Sequence, residues 1–194
     1  MPHQPYSAML LLLLATVALI RAWAFYRYRR EKFGQALDQA TQDLLVKIVR
    51  LGSAVPTVLW IFTPSLGFAQ LNLPPAVRIL GAAFFLGGAL LLLWVHRVMG
   101  SLFSPVVQLK ENHRLITSGP FRYIRHPMYS SVLACILGGF LLTANWAYFL
   151  IQVCIFTALI LLRVPEEERM LAGRFPAEFE VYRQKTWQII PFVY

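Results

Sequence analysis

All nine acidic residues of this chain and 17 of its 18 lysines and arginines fall inside three segments, Arg21–Arg50, Arg97–Arg125 and Arg163–Lys185. The stretches between them carry almost no charge. A soluble fold spreads charge over its surface, whereas blocks of charge flanking apolar runs are the pattern of a chain that crosses a bilayer several times. Composition agrees, with 58% hydrophobic and 14% charged residues over 194 positions,. The net charge of +9 could suit nucleic acid. Its location beside apolar runs makes it a topology signal instead, with attraction to anionic lipid headgroups as a consequence. No nucleic-acid partner is expected. The one basic residue outside the blocks, Arg78, stands near the start of an apolar run.

Five spans are expected. The first is Met9–Ile20, extended by Ala22–Tyr26 if Arg21 snorkels to the interface. Its positive charges, Arg27, Arg29, Arg30 and Lys32, come after the apolar core. A cleaved leader carries them before it, so this is an uncleaved span. Glu31–Asp43 reads as a short surface helix. The second span, Leu44–Thr63, has Lys47 and Arg50 at its inner end and a kink at Pro56. Pro64–Pro75 holds no charge and reads as an external loop. The third span, Ala76–Val98, contains Gly81, Gly87 and Gly88, which permit close helix contact. Arg97–Pro127 is an internal segment, with Val106–Leu109 and His113–Ile116 expected to be ordered. Met128–Thr143 and Trp146–Leu162 form a helical hairpin around Ala144-Asn145, each run of about 16 residues being slightly short for a full span. Arg163–Tyr194 is a charged, aromatic tail, helical at first. Five spans place the N-terminus outside and the C-terminus inside, with all three basic segments on the cytosolic face. Residues 1–99 then form an N-terminal unit of three spans with a surface helix, and residues 100–194 a catalytic region.

Cys135 and Cys154 lie inside apolar runs as small hydrophobes. With His3, His96, His113 and His126 scattered, no metal-ligand spacing exists and no metal is expected.

The stretch Ser118-Gly119-Pro120-Phe121-Arg122-Tyr123-Ile124-Arg125-His126-Pro127-Met128-Tyr129 is polar, basic and rigid. Gly119-Pro120 reads as a turn. Pro127 suits the first turn of a helix and biases His126 towards an extended backbone. His126 is therefore expected at the positive end of a new helix, which favours an anionic group. The same stretch also reads as a basic membrane anchor followed by a helix start. Tyr129 can bond a ligand or sit in the interfacial aromatic belt.

A second polar site, Arg163-Val164-Pro165-Glu166-Glu167-Glu168-Arg169, follows the last apolar run. On a helix Arg163 and Glu167 share one face at i, i+4, while Glu166 and Glu168 point elsewhere. Such a run is commonly a solvated helix end; alternatively one carboxylate faces inward to bind a cation or hydroxyl. A hairpin brings the outer ends of its two helices together, so His126-Pro127 and Arg163–Glu168 are expected to be neighbours. A helix N-terminus, a carboxylate and an arginine would then converge, a combination suited to a zwitterionic ligand. No dinucleotide fingerprint, phosphate-binding loop or hydrolase elbow is present. Ser130 and Ser131 read as helix-interior polar contacts.

The run His113-Arg114-Leu115-Ile116-Thr117-Ser118-Gly119-Pro120-Phe121, then Arg125-His126-Pro127-Met128-Tyr129, then Glu167-Glu168, resembles the isoprenylcysteine carboxyl methyltransferase family in its prokaryotic form, over about residues 100–194. Phospholipid N-methyltransferases and some membrane sterol reductases share a similar C-terminal pattern. The resemblance implies an all-α integral membrane enzyme with five transmembrane helices, cytosolic cofactor-binding segments and no Rossmann sheet. The implied cofactor is S-adenosylmethionine, leaving S-adenosylhomocysteine as product. Gln108, His113, Arg114, Leu115, Ile116 and Phe121 would line an adenosine pocket. His126, Pro127, Met128 and Tyr129 would hold the methionyl part. Arg163 and Glu167 would be the residues at the reaction, Glu167 on a polar group of the cofactor and Arg163 on the acceptor carboxylate. Phe121 stands where eukaryotic members often have Tyr, which removes a hydroxyl contact. The implied partner is a lipid-modified or lipid acceptor. The alternatives are amine methylation of a phospholipid, an NADPH-dependent sterol-type reductase and a non-enzymatic scaffold.

Overall fold

The computed structural model describes residues 4–28, 39–100 and 115–192. Among the described residues six α-helices follow in order: α1 (Gln4–Tyr28), α2 (Gln39–Phe62), α3 (Pro75–Met99), α4 (Pro127–Thr143), α5 (Trp146–Arg174) and α6 (Pro176–Lys185). Short 3-10 turns lie at Gly67–Ala69 and Gly119–Arg122. Extended pairing among the described residues is limited to two isolated bridges, Gln70 with Asn145 and Ile124 with Trp187. The expected all-helical architecture is present. Most of the surface helix proposed over Glu31–Asp43, and the whole stretch Val106–Leu109, lie outside the described residues.

Prolines set three helix starts. Pro75, Pro127 and Pro176 stand in the first turns of α3, α4 and α6, where a missing N–H leaves no helical bond unmade,. α5 starts on Asn145, whose Oδ1 accepts from the Tyr148 N–H at 2.9 Å,. Its Nδ2 donates to the Leu66 carbonyl at 2.7 Å, tying the hairpin loop to the α2–α3 connection. α2 continues through Pro56. The proline cannot bond back to residue 52. At the neighbouring residue, Thr57 Oγ1 and Gln152 Nε2 both donate to the Ser53 carbonyl, at 2.8 and 3.3 Å.

Among the described residues, α1, α3 and α5 are long and apolar enough to cross a membrane. α4 is apolar but has 17 residues, about 25 Å of helix,. These helices make the chain an integral membrane protein. In lipid, apolar burial drives helix association little, so close packing and polar contacts must hold the bundle.

α3 and α4 form the most extensive helix pair. They run antiparallel: a Cβ on Gly81 would meet the Leu142 N and the Gly138 O at 2.6 and 2.8 Å, and one on Gly88 the Ser131 O at 2.8 Å. Only glycine permits this backbone-to-backbone approach. Gly87 does not share the role, since a Cβ there would meet nothing within 4 Å.

At the loop end of the hairpin Arg78 is buried. Its Nε donates to the Leu142 carbonyl at 2.9 Å and its Nη2 to the Thr143 carbonyl at 3.3 Å. Tyr6 of α1 covers the guanidinium at 3.4 Å,. Arg78 thus satisfies carbonyls at the C-terminus of α4 and complements its dipole. The Pro64–Pro75 connection packs inward: Leu66 and Ala69 are buried in the core with Leu10, Trp60, Phe85, Leu142 and Tyr148.

Candidate active site

The other end of the hairpin gathers the polar groups. Gly119 has φ 60°, in the left-handed region, and a Cβ there would meet Val98 of α3 at 2.8 Å,. This close approach seats the Gly119–Arg122 turn on the end of α3. The Tyr182 hydroxyl donates to the Phe121 carbonyl at 2.7 Å and fixes the turn from α6. His126 is the N-cap of α4, with φ −121° and ψ 59°, and Pro127 is fully buried behind it.

α5 does not stop where hydrophobicity stops. It runs on through Pro165 to Arg174, because Glu, Arg, Met, Leu and Ala after the proline are strong helix formers,. That extension carries Glu166, Glu167 and Glu168 past the apolar section. Glu166 pairs with Arg169 on the helix surface. Glu167 and Glu168 both turn to His126, which lies between them. The Nδ1 atom is 3.3 Å from Glu167 Oε2 and Nε2 is 3.2 Å from Glu168 Oε1.

Each carboxylate has further partners. Glu168 Oε1 also accepts from Arg125 Nε at 2.9 Å and Gln188 Nε2 at 3.1 Å. Glu167 Oε1 accepts from the Tyr129 hydroxyl at 2.7 Å. Tyr129 is buried, which removes it from the interfacial belt. Arg163, one helical turn before Glu167, is close enough for its charge to act on Tyr129,.

With a carboxylate at both ring nitrogens, His126 is satisfied only as the doubly protonated imidazolium; a neutral ring would turn a lone pair towards an anion. Burial alone would lower its pKa. The hydrogen bonds and charges of Glu167 and Glu168 outweigh burial and raise it above the ordinary 6.5,. The two glutamates are not equivalent. Glu168 is 17% exposed and holds three donors on one oxygen, while Glu167 is 27% exposed. Glu167 is therefore the more open of the two carboxylates.

The expected juxtaposition of His126-Pro127 with Arg163–Glu168 is present. The structure brings His126, Tyr129 and Glu167 together with Arg163 nearby. Leu115 and Ile116 line a cleft of about 250 Å3 together with Val98, Thr117 and Ser118. Met128 is half-buried, and its carbonyl accepts from Ser131 Oγ at 2.6 Å. Gln108, His113 and Arg114 lie outside the described residues. Sequence reasoning placed Glu168 in the cluster without assigning it a role, and missed Arg125 and Gln188. Arg125 sat beside His126 in the quoted run, a usable signal once the acidic cluster was expected opposite. Gln188 carried none.

A probable protein-S-isoprenylcysteine O-methyltransferase from Oryza sativa subsp. indica is 31% identical over 96 residues, 48% of this chain and 50% of the rice protein. The protein-S-isoprenylcysteine O-methyltransferase of Schizosaccharomyces pombe is 32% identical over 96 residues, 48% of this chain and 41% of the yeast protein. These matches thus span about half, or less, of the relatives' length. Among solved structures, the eukaryotic intramembrane Ras methyltransferase, isoprenylcysteine carboxyl methyltransferase, superposes with a TM-score of 0.56 at 20% identity. The superposition covers 81% of this chain and 54% of that one, which establishes likeness of fold. Residues 76–178, more than half of the chain, match the model of the phospholipid methyltransferase family, and the chain belongs to that family.

Proposed function

We propose that the chain is an S-adenosylmethionine-dependent methyltransferase acting on the carboxylate of a lipid-type acceptor resembling isoprenylcysteine. The observation that carries this reading is the His126 imidazolium held between Glu167 and Glu168, with Glu167 keeping an open face near Tyr129 and Arg163.

These residues fit the methionyl end of the cofactor. Its ammonium matches the carboxylate of Glu167, and its carboxylate matches the positive first turn of α4 behind His126. When bound, S-adenosylmethionine supplies a methyl group on a sulfonium. The chain's residues have little acid–base work to do. A carboxylate acceptor is already ionised at neutral pH and needs no proton removed. This agrees with the site, where His126 is engaged at both nitrogens, Glu168 holds three donors, and Glu166 pairs with Arg169. Arg163 orients the acceptor carboxylate through its planar fork. Pro127, Tyr129 and Phe156 exclude water from behind the site, which confines the task to alignment,. Gln108, His113, Arg114, Leu115, Ile116 and Phe121 make the adenosine wall. All five apolar runs cross the membrane, the N-terminus lies outside, and the site with the C-terminus lies in the cytosol. A lipid tail then arrives through the bilayer and the cofactor from water.

A second reading, amine methylation of a phospholipid, is favoured by the family model. It needs a proton acceptor beside the substrate, whereas Glu166 and Glu168 are engaged and Glu167 is assigned to the cofactor. Labelled methyl transfer from S-adenosylmethionine to N-acetyl-S-farnesylcysteine or to phosphatidylethanolamine vesicles separates the two. Transfer to the farnesylcysteine supports carboxyl methylation. Transfer to the vesicles alone selects the second reading.

A further inference from the structure

The segment after α6 is not a loose tail. Carbonyls of Thr186, Trp187, Gln188 and Ile189 accept in turn from Arg125 Nη1, the Arg125 N–H at 2.8 Å, the His126 N–H at 3.0 Å and Ser130 Oγ. The Trp187 N–H returns a bond to the Tyr123 carbonyl at 3.0 Å. Ile189 packs in one cluster with Tyr129, Phe156 and Val164. Four successive residues thus grip the corner that carries His126. From within this grip Gln188 Nε2 reaches Glu168 Oε1 at 3.1 Å, the oxygen shared by Arg125 and His126.

We propose that Thr186–Ile189 is a clasp that sets the site, with Gln188 as its positioning residue. By donating to Glu168, Gln188 holds that carboxylate on the Nε2 edge of His126. The ring is then fixed with Nδ1 towards Glu167, and Glu167 is presented to the ligand in one orientation. An amide does this without disturbing a cluster whose charges balance, Arg125 and His126 against Glu167 and Glu168. The consequence for ligand binding rests on the assignment of Glu167 proposed above.

The test uses the full chain with Gln188→Leu, which removes the donor at similar bulk, and Gln188→Glu, which sets a second carboxylate against Glu168. Binding of tritiated S-adenosylhomocysteine is measured at pH 8 and pH 5.5, each variant as a ratio to wild type. Gln188 meets Glu168 directly, and Arg125 and His126 share the same oxygen. The titratable and charged groups next in line are Glu167 on the other nitrogen of His126, Arg163 acting on Tyr129, and Tyr182 of α6, which feels the charges of Arg125 and Glu168. Gln188→Leu is expected to weaken binding about tenfold at both values, the worth of a hydrogen bond to a charged group. Gln188→Glu is expected to be worse at pH 8 and to recover towards the Leu variant at pH 5.5, because two facing carboxylates then share a proton. Hydrogen exchange at the Arg125 and His126 amides in the ligand-free protein reads the clasp independently, and both variants are expected to speed it. Wild-type binding with unchanged exchange overturns the proposal. So does a Glu variant with the same ratio at both pH values, which would mean packing alone. If the wild type itself fails to bind S-adenosylhomocysteine while exchange responds as expected, the clasp stands and the cofactor reading falls.

Discussion

Replacing Glu168 by glutamine tests the electrostatic organisation of the site most severely. One oxygen of this carboxylate accepts from Arg125 Nε, Gln188 Nε2 and His126 Nε2 at 2.9, 3.1 and 3.2 Å, and two of the three donors are cationic. A bond to a charged group contributes about 1.5–3 kcal/mol and a neutral one about 1 kcal/mol. Glu168→Gln keeps an acceptor oxygen but cancels charge assistance at both cationic donors. Breaking a fully buried pair costs about 3–5 kcal/mol. Here the side chains of Arg125 and Glu168 are 11% and 17% exposed, so water recovers part of that. The expected loss is about 2–3 kcal/mol, or about 5–10 °C in melting midpoint for a chain of this size. Cysteine chemistry offers the assay. In a Cys154→Ser background, half-buried Cys135, packed against Gly88, reports unfolding to a thiol-reactive dye. Glu166→Gln is the control, because its partner Arg169 is 74% exposed and such a pair contributes about 0–1 kcal/mol,. A Glu168→Gln midpoint within about 2 °C of wild type would refute the reasoning.

Glu167→Gln is expected to lower S-adenosylhomocysteine affinity by at least about tenfold, since it loses an ionic bond to the ligand, while shifting the melting midpoint less than Glu168→Gln does. Arg163→Met is expected to raise the KM for the acceptor and leave S-adenosylhomocysteine binding near wild type, read by steady-state kinetics with farnesylcysteine. Gly138→Ala should destabilise by about 1–3 kcal/mol, because the added Cβ collides with the backbone of Phe85 and Gly81, which cannot swing away,. Gly87→Ala, facing open space, should leave the midpoint unchanged or slightly higher in the same dye assay,. The raised pKa of His126 sets a pH dependence. Its ion pairs contribute fully below the unfolded value of 6.5 and are lost as the pH climbs through the raised folded value,. The melting difference between wild type and His126→Asn should therefore shrink as the pH rises above 6.5.

The hairpin was legible because two apolar runs separated only by Ala144-Asn145 leave no other connection, and because Pro127 marks a helix start. That hairpin alone brought His126 to the glutamates. The choice among the glutamates was not legible. Adjacent helical positions point about 100° apart, and only the seat of His126 between two of them lets Glu167 and Glu168 serve one ring. The continuation of α5 beyond Leu162 was legible in the helical start of the charged tail, but its stop at Arg174 was not, because hydropathy marks where lipid ends and not where the backbone pattern does. Gly87 could not be told from Gly88 by composition; the two differ only in which face α4 covers. The role of Arg78 lay in carbonyls 64 and 65 residues away. The clasp was invisible for a related reason: a bridge of one residue pair has no period to detect,.

The most direct test of the account is calorimetric titration of S-adenosylhomocysteine into the purified wild-type chain and its Glu167→Gln variant. One saturable site in the wild type, weakened at least about tenfold by the substitution, is the predicted result. Binding of equal strength in both proteins, or heat of dilution only in the wild type, would contradict it.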